Sequence, residues 1–91
     1  MTMDDTFDIP PTVVARKVGD EVVILDLDGG TYFGLDPVGA RIWELISEGL
    51  TLLNVCDKMQ NEYDTPRDEL EQDILELIKA LREENLVAVR G

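Results

Sequence analysis

The chain has 91 residues, 44% apolar and 31% charged, with 8 Lys and Arg against 20 Asp and Glu and a net charge of -12. That length makes one domain with a modest core. So large an acidic excess argues against nucleic acid as a partner, because DNA binding needs clustered cations to displace counterions from phosphates.

With no His and a single Cys, Cys56, the sequence lacks the donors of a zinc site or iron-sulfur cluster and the pairs that activate a nucleophile. Neither a metal nor a cofactor is expected, and no residue is assigned a catalytic role. A lone Cys forms no internal disulfide, which fits a reducing cytoplasm. The opening MTMDDTFDIPPT has neither the basic start nor the apolar run of a signal peptide, and no stretch reaches the ~20 apolar residues of a membrane span. A cytoplasmic location without a membrane partner is the expectation.

Residues 1–12 are polar, reach Pro10-Pro11 and read as a flexible arm ahead of a domain over 13–91. The period then becomes two. VVARKV (13–18) and EVVILDL (21–27) are rich in β-branched residues and are joined by Gly19-Asp20, a strong hairpin signal. Asp28-Gly29-Gly30 makes the next turn and leads into a third strand, Thr31-Tyr32-Phe33-Gly34-Leu35. The three form an antiparallel meander.

Asp36-Pro37 is an N-cap followed by the first helical position. The helix it opens repeats Val38, Ile42, Leu45 and Ile46 on one stripe, with Trp43 at its edge, and stops at Gly49. Thr51 caps a second helix that carries Leu52, Val55, Cys56 and Met59 at helical spacing. Thr65-Pro66 signals the start of a third and longest helix, ending near Asn85. Leu86 to Val89 is a tail with strand character. Strands followed by helices, with a helix-turn-helix between Pro37 and Tyr63, indicate an α+β fold.

Most of the carboxylates fall in turns or on the outward face of the third helix, as solvated surface does. Asp26 to Gly30 fails as a calcium loop, since the twelfth position from Asp26 is Pro37, where a bidentate Glu is needed. Gly29, Gly30 and Gly34 have no following Lys and no helix start for a phosphate cradle. Gly34 breaks a strand interior, as a bend into the first helix does or as a close approach by another backbone does. Cys56 lies on its helix's apolar stripe and reads as a buried hydrophobe.

On the third helix, Leu70, Ile74, Leu77 and Leu81 span an arc sufficient to dock it on the sheet, and Ile78 and Leu75 lie progressively outside. An apolar face that wide covers more than one neighbour, either the second helix or a segment of another molecule. The third strand lies at a sheet edge, where backbone donors and acceptors are unpaired, and it carries no protective Lys or Pro. An extended peptide can join such an edge as an added strand. Strand alternation puts Phe33 and Leu35 on one face and Tyr32 on the other, and the sequence leaves open which of them borders the guest.

Here the residues resemble a known family. GGTYFGLDPVGARIWELISEG, then VCDKM, then DILELIKALREENLV are similar to the PqqD-like proteins, the leader-binding RiPP recognition elements of ribosomal peptide modification pathways. The resemblance covers residues 13–89. Its version of the strand and helix start, with Ile42-Trp43, is most similar to the standalone proteins of lasso peptide clusters. In the cofactor-pathway branch a different strand and no Trp at 43 are expected.

The resemblance implies a winged helix-turn-helix that binds the leader of a precursor peptide antiparallel to the third strand and hands it to a leader peptidase or other modifying enzyme. The peptide-binding residues it implies are Thr31, Tyr32, Phe33, Gly34, Leu35, Asp73, Ile74, Leu75, Leu77, Ile78 and Arg82. Two alternatives stand beside it: a peptide chaperone for a radical SAM enzyme of the PQQ type, and a winged-helix interaction module whose open edge pairs with a second copy as a homodimer. The final Ala88-Val89-Arg90-Gly91 extends past the usual end of the family pattern.

Overall fold

The structure of the protein, a computed structural model, describes residues 2–90; Met1 of the expected arm and Gly91 of the expected domain lie outside the described residues. In chain order it contains β1 (Phe7–Asp8), β2 (Val13–Val18), β3 (Glu21–Asp26), β4 (Tyr32–Leu35), α1 (Pro37–Ser47), α2 (Leu52–Glu62), α3 (Arg67–Glu83) and β5 (Ala88–Val89). An antiparallel sheet of order β2-β3-β4 precedes three helices, and β1 pairs with β5 in a separate ribbon. This is the α+β arrangement read from the sequence.

Alternation explains the sheet. Val22 and Ile24 are buried while Glu21, Val23 and Leu25 are exposed, so one face meets the helices and the other meets water. The register sets Ile24 between Ala15 and Phe33, and Leu25 between Val14 and Tyr32. Gly30, at φ 70°, makes the β3-β4 turn with a backbone that residues bearing a Cβ resist.

α1 is the central helix, packed on β3, β4, β1 and α2. The Asp36 carboxylate accepts the Gly39 amide at 2.8 Å, with Pro37 following it, and Thr51 caps α2 through the Asn54 amide at 3.1 Å. Trp43, Leu45, Ile46, Leu52, Val55, Cys56 and Met59 join one core with Ile24 and Leu35. Val38, placed on the core stripe by spacing, is instead exposed at the start of α1.

α3 departs from expectation in two ways. Thr65 does not cap it: Pro66 holds the cap position without a side-chain bond, and Asp68 and Glu69 in the first turn complement the helix dipole. The buried stripe is Leu70, Ile74, Ile78 and Leu81, with Leu77 half-buried. The reason is the neighbour. α3 packs chiefly on α2, not on the sheet, and this turns the helix toward Ile78 and leaves Leu77 at the margin.

The expected arm contains a strand. Phe7 is buried in the core, and Phe7 and Asp8 pair with Val89 and Ala88. The carbonyls of Asp5 and Met3 accept the Leu52 and Leu53 amides at 3.1 and 2.8 Å, satisfying donors that the first turn of α2 cannot bond internally. The closing residues have the same partner: the Arg90 amide donates to the Thr6 carbonyl at 2.9 Å and its guanidinium meets Asp8 at 3.1 Å.

Candidate functional site

The Asp26 amide donates to the Thr31 carbonyl at 2.8 Å. Because inward and outward bonding alternates along an antiparallel ladder, residues 31, 33 and 35 turn their main-chain groups toward β3. The amides and carbonyls of Tyr32 and Gly34 then face away from the sheet. Among the described residues no strand pairs with that edge, since the arm and the tail pair with each other.

Side chains alternate the other way. Tyr32 points outward and is 74% exposed, whereas Leu35 is buried and Phe33 half-buried against the core. Phe33 and Leu35 are therefore the pair that borders the helices. Together with Val38 and Ile42 of α1 and Leu77 of α3 they line a groove of about 510 Å³, with Asp36 and Asp73 at its polar rim. The backbones of β4 and α3 do not pack closely together, and the groove occupies the space between them.

Glycine at 34 has no cause within the chain. Its φ is not positive, and a Cβ built there meets nothing within 4 Å. A Gly that neither the turn nor the packing requires leaves room for an approaching backbone. Gly39 is different, because a Cβ there would crowd Asp36 and Leu35 at 3.2 and 3.3 Å, so its small size permits the cap beside the groove.

Of the residues expected to bind, Phe33, Gly34, Leu35, Asp73 and Leu77 converge on the groove. Tyr32 opens β4 and Thr31 directly precedes it, and both are exposed. Ile74 and Ile78 are fully buried and belong to the core. Leu75 and Arg82 lie on another flank of α3, around a shallow depression with Glu71, Gln72 and Lys79. Asp36, Val38, Gly39 and Ile42 line the groove without having been expected there: Asp36 reads only as a helix cap, helical spacing assigns Val38 and Ile42 to an internal stripe, and only its place just after the strand marks Val38 as a groove residue.

The perturbed ionisable groups lie elsewhere. Burial pushes the Cys56 thiol up, leaving it protonated and unreactive at neutral pH. Arg41 forks onto Glu62 at 2.8 and 2.9 Å and holds that carboxyl below its ordinary value. No group of three or more His, Cys, Asp and Glu is placed to hold a metal among the described residues, and no described helix is long and apolar enough to cross a membrane.

The family model described as coenzyme PQQ synthesis protein D (PqqD) matches residues 21–87. The chain belongs to the PqqD family. The matched span begins with β3 and ends at Val87, so it contains β4, the groove and all three helices. Among solved structures, TbiB1 in complex with the TbiA(beta) leader peptide is similar at 40% identity and a TM-score of 0.85, over 91% of this chain and 96% of that one. A lasso peptide synthetase B1 complexed with the leader peptide is similar at 26% identity and a TM-score of 0.83, over 90% and 96%. No curated protein matches the chain.

Proposed function

We propose that this PqqD-family protein is a non-catalytic binder of a precursor peptide's leader, which it takes up as a strand added to β4 and presents to a processing enzyme, the leader peptidase of a lasso peptide pathway. One observation carries the reading: the outward row of Tyr32 and Gly34 is unpaired beside an apolar groove, in a chain 40% identical to a protein solved with a leader peptide. Binding raises the local concentration of the substrate at the enzyme without new chemistry in this chain.

The magnitudes explain why the groove is needed. About four main-chain hydrogen bonds at about 0.5–1.5 kcal/mol each give only a few kcal/mol, which ordering the peptide largely cancels. An apolar side chain of the guest, seated among Phe33, Leu35, Val38, Ile42 and Leu77, supplies the rest. Asp36 and Asp73 at the rim, on a protein of net charge -12, favour a guest with a cation near that anchor.

The test is a titration of ¹⁵N-labelled protein with the leader of the neighbouring precursor. Shifts concentrated in residues 31–35, 38–42 and 73–77 are expected, and shifts confined to other surfaces overturn the reading. Affinity should also fall as salt rises from 50 to 500 mM, by about threefold to tenfold; indifference to salt removes the role of the acidic rim. The family match also supports a second reading, a peptide chaperone for a radical SAM enzyme, which binding of a PQQ-type precursor in preference to a lasso leader would favour.

A further inference from the structure

We propose that the N-terminal arm is a strap that holds α3 at its working distance from β4 and so presets the width of the leader groove, with Phe7 and the β1-β5 ribbon as its positioning elements. The inference rests on the leader-binding reading and concerns residues outside the groove.

One wall of the groove is not held by the sheet. Phe33 and Leu35 are fixed by pairing with β3, and Val38 and Ile42 by α1, which packs on β3 and β4. Asp73 and Leu77 belong to α3, which packs chiefly on α2. The gap between α3 and β4 is therefore set by what α3 is tied to elsewhere.

The arm supplies that tie. At its sheet end the Leu27 amide donates to the Thr12 carbonyl at 2.9 Å, next to the Asp26-Thr31 bond that joins the end of β3 to the start of β4. Pro10 and Pro11 come next toward the N-terminus, and their locked φ angles make this piece of chain stiff. Phe7 is then buried in the core, and Phe7 and Asp8 pair with Val89 and Ala88 just after α3.

The tail passes this hold on to the helix. Asn85 turns the chain with a left-handed φ of 58°, the Leu86 amide donates to the Leu81 carbonyl at 2.9 Å, and Leu86 and Val87 are buried. Leu77 lies about 9 Å from that end of α3, at ~1.5 Å per residue. Beyond the ribbon, the carbonyls of Asp5 and Met3 hold the first turn of α2, the helix on which α3 rests. One strap thus reaches the sheet, the end of α3 and the start of α2.

A ribbon with two residues in each strand contributes little stability by itself. Its effect is on position: a wall held in place before the guest arrives spares binding the cost of ordering it.

The test measures the affinity of the full chain for a fluorescent synthetic leader by anisotropy. Phe7→Ala frees the arm from the core and should weaken leader binding, but the loss of a buried ring can unfold the domain. Ala88→Pro decides the matter in that case. It removes an amide that bonds across the ribbon, by the alternation that the Arg90-Thr6 bond sets, at an exposed position, and it should weaken leader binding by about threefold or more with the fold intact. A double-mutant cycle separates position from general stability. With Leu77→Ala the α3 anchor is already gone, so Ala88→Pro should then cost less than about twofold, whereas with Val38→Ala on α1 it should cost its full factor. Unchanged affinity in Ala88→Pro overturns the strap, and so do equal costs on the two backgrounds. Failure of the wild-type protein to bind leader sinks the underlying reading instead, an outcome separate from either.

Discussion

The sheet has two edges, and they are built differently. β2 runs six residues with Arg16 and Lys17 among them, and only Val13 is buried. β4 runs four, has no Lys or Pro, and buries Leu35 beside the groove. By the same alternation that frees Tyr32 and Gly34, the free groups of β2 belong to Val13, Ala15 and Lys17, and the Val13 amide already donates to the Pro10 carbonyl at 3.0 Å. Unpaired main chain is common to both edges. What separates them is the lining of the gap: β4 faces Val38, Ile42 and Leu77 of α1 and α3, whereas the cleft between β2 and α1 sets Lys17, Asp20, Arg41 and Glu44 around Trp43, and charge is the ordinary protection of a sheet margin. An edge becomes a binding site when anchors stand beside it.

The comparison can be broken first on α3, where groove and core adjoin. Ile78→Ala should lower stability by about 2–5 kcal/mol in denaturant unfolding, because the side chain is fully buried. Leu77→Ala should cost much less stability but weaken leader binding by about threefold to tenfold; equal losses of stability would merge wall and core. The two edges are separated by a matched pair of prolines. Gly34→Pro removes an outward amide and should weaken leader binding by about tenfold or more with the fold intact, while Ala15→Pro removes the equivalent donor from β2 and should leave affinity unchanged by anisotropy titration.

The smallest effect concerns the Arg41-Glu62 pair that joins α1 to α2. Arg41 keeps Glu62 ionised below the ordinary value of 4.5. The contribution is therefore present above that value and is lost as pH falls through the depressed one. Glu62→Gln should lower Tm at pH 7 by on the order of a degree or two, the pair being open to solvent on one side, and the difference from wild type should vanish in acid. Leader affinity should not change, since neither residue lines the groove.

Much of this was legible from local chemistry. Gly19-Asp20, Asp36-Pro37 and Thr51 each act within a few residues, and each turn or cap stands where its residues predict. The open third strand was legible too, from the absence of Lys and Pro between residues 31 and 35. Long-range choices were not. Spacing ranks Leu77 inside the α3 stripe and Ile78 outside it, but the direction of the stripe depends on α2 being its main neighbour, which no local pattern states. Phe7 looked isolated in a polar arm because its partners, in the core and at Val89, lie at the other end of the sequence. Val38 is apolar at a helical position whether it faces the core or a groove.

The outward groups of Tyr32 and Gly34 are main-chain atoms, identical in kind whatever residues stand there. They fix a guest's direction and register but are indifferent to its identity, which only the lining of the groove can test. Retargeting such a carrier is therefore a matter of exchanging a few side chains at 33, 38, 42 and 77 on an unchanged rail. Two carriers reshaped in this way could serve separate substrates in one cell without crosstalk.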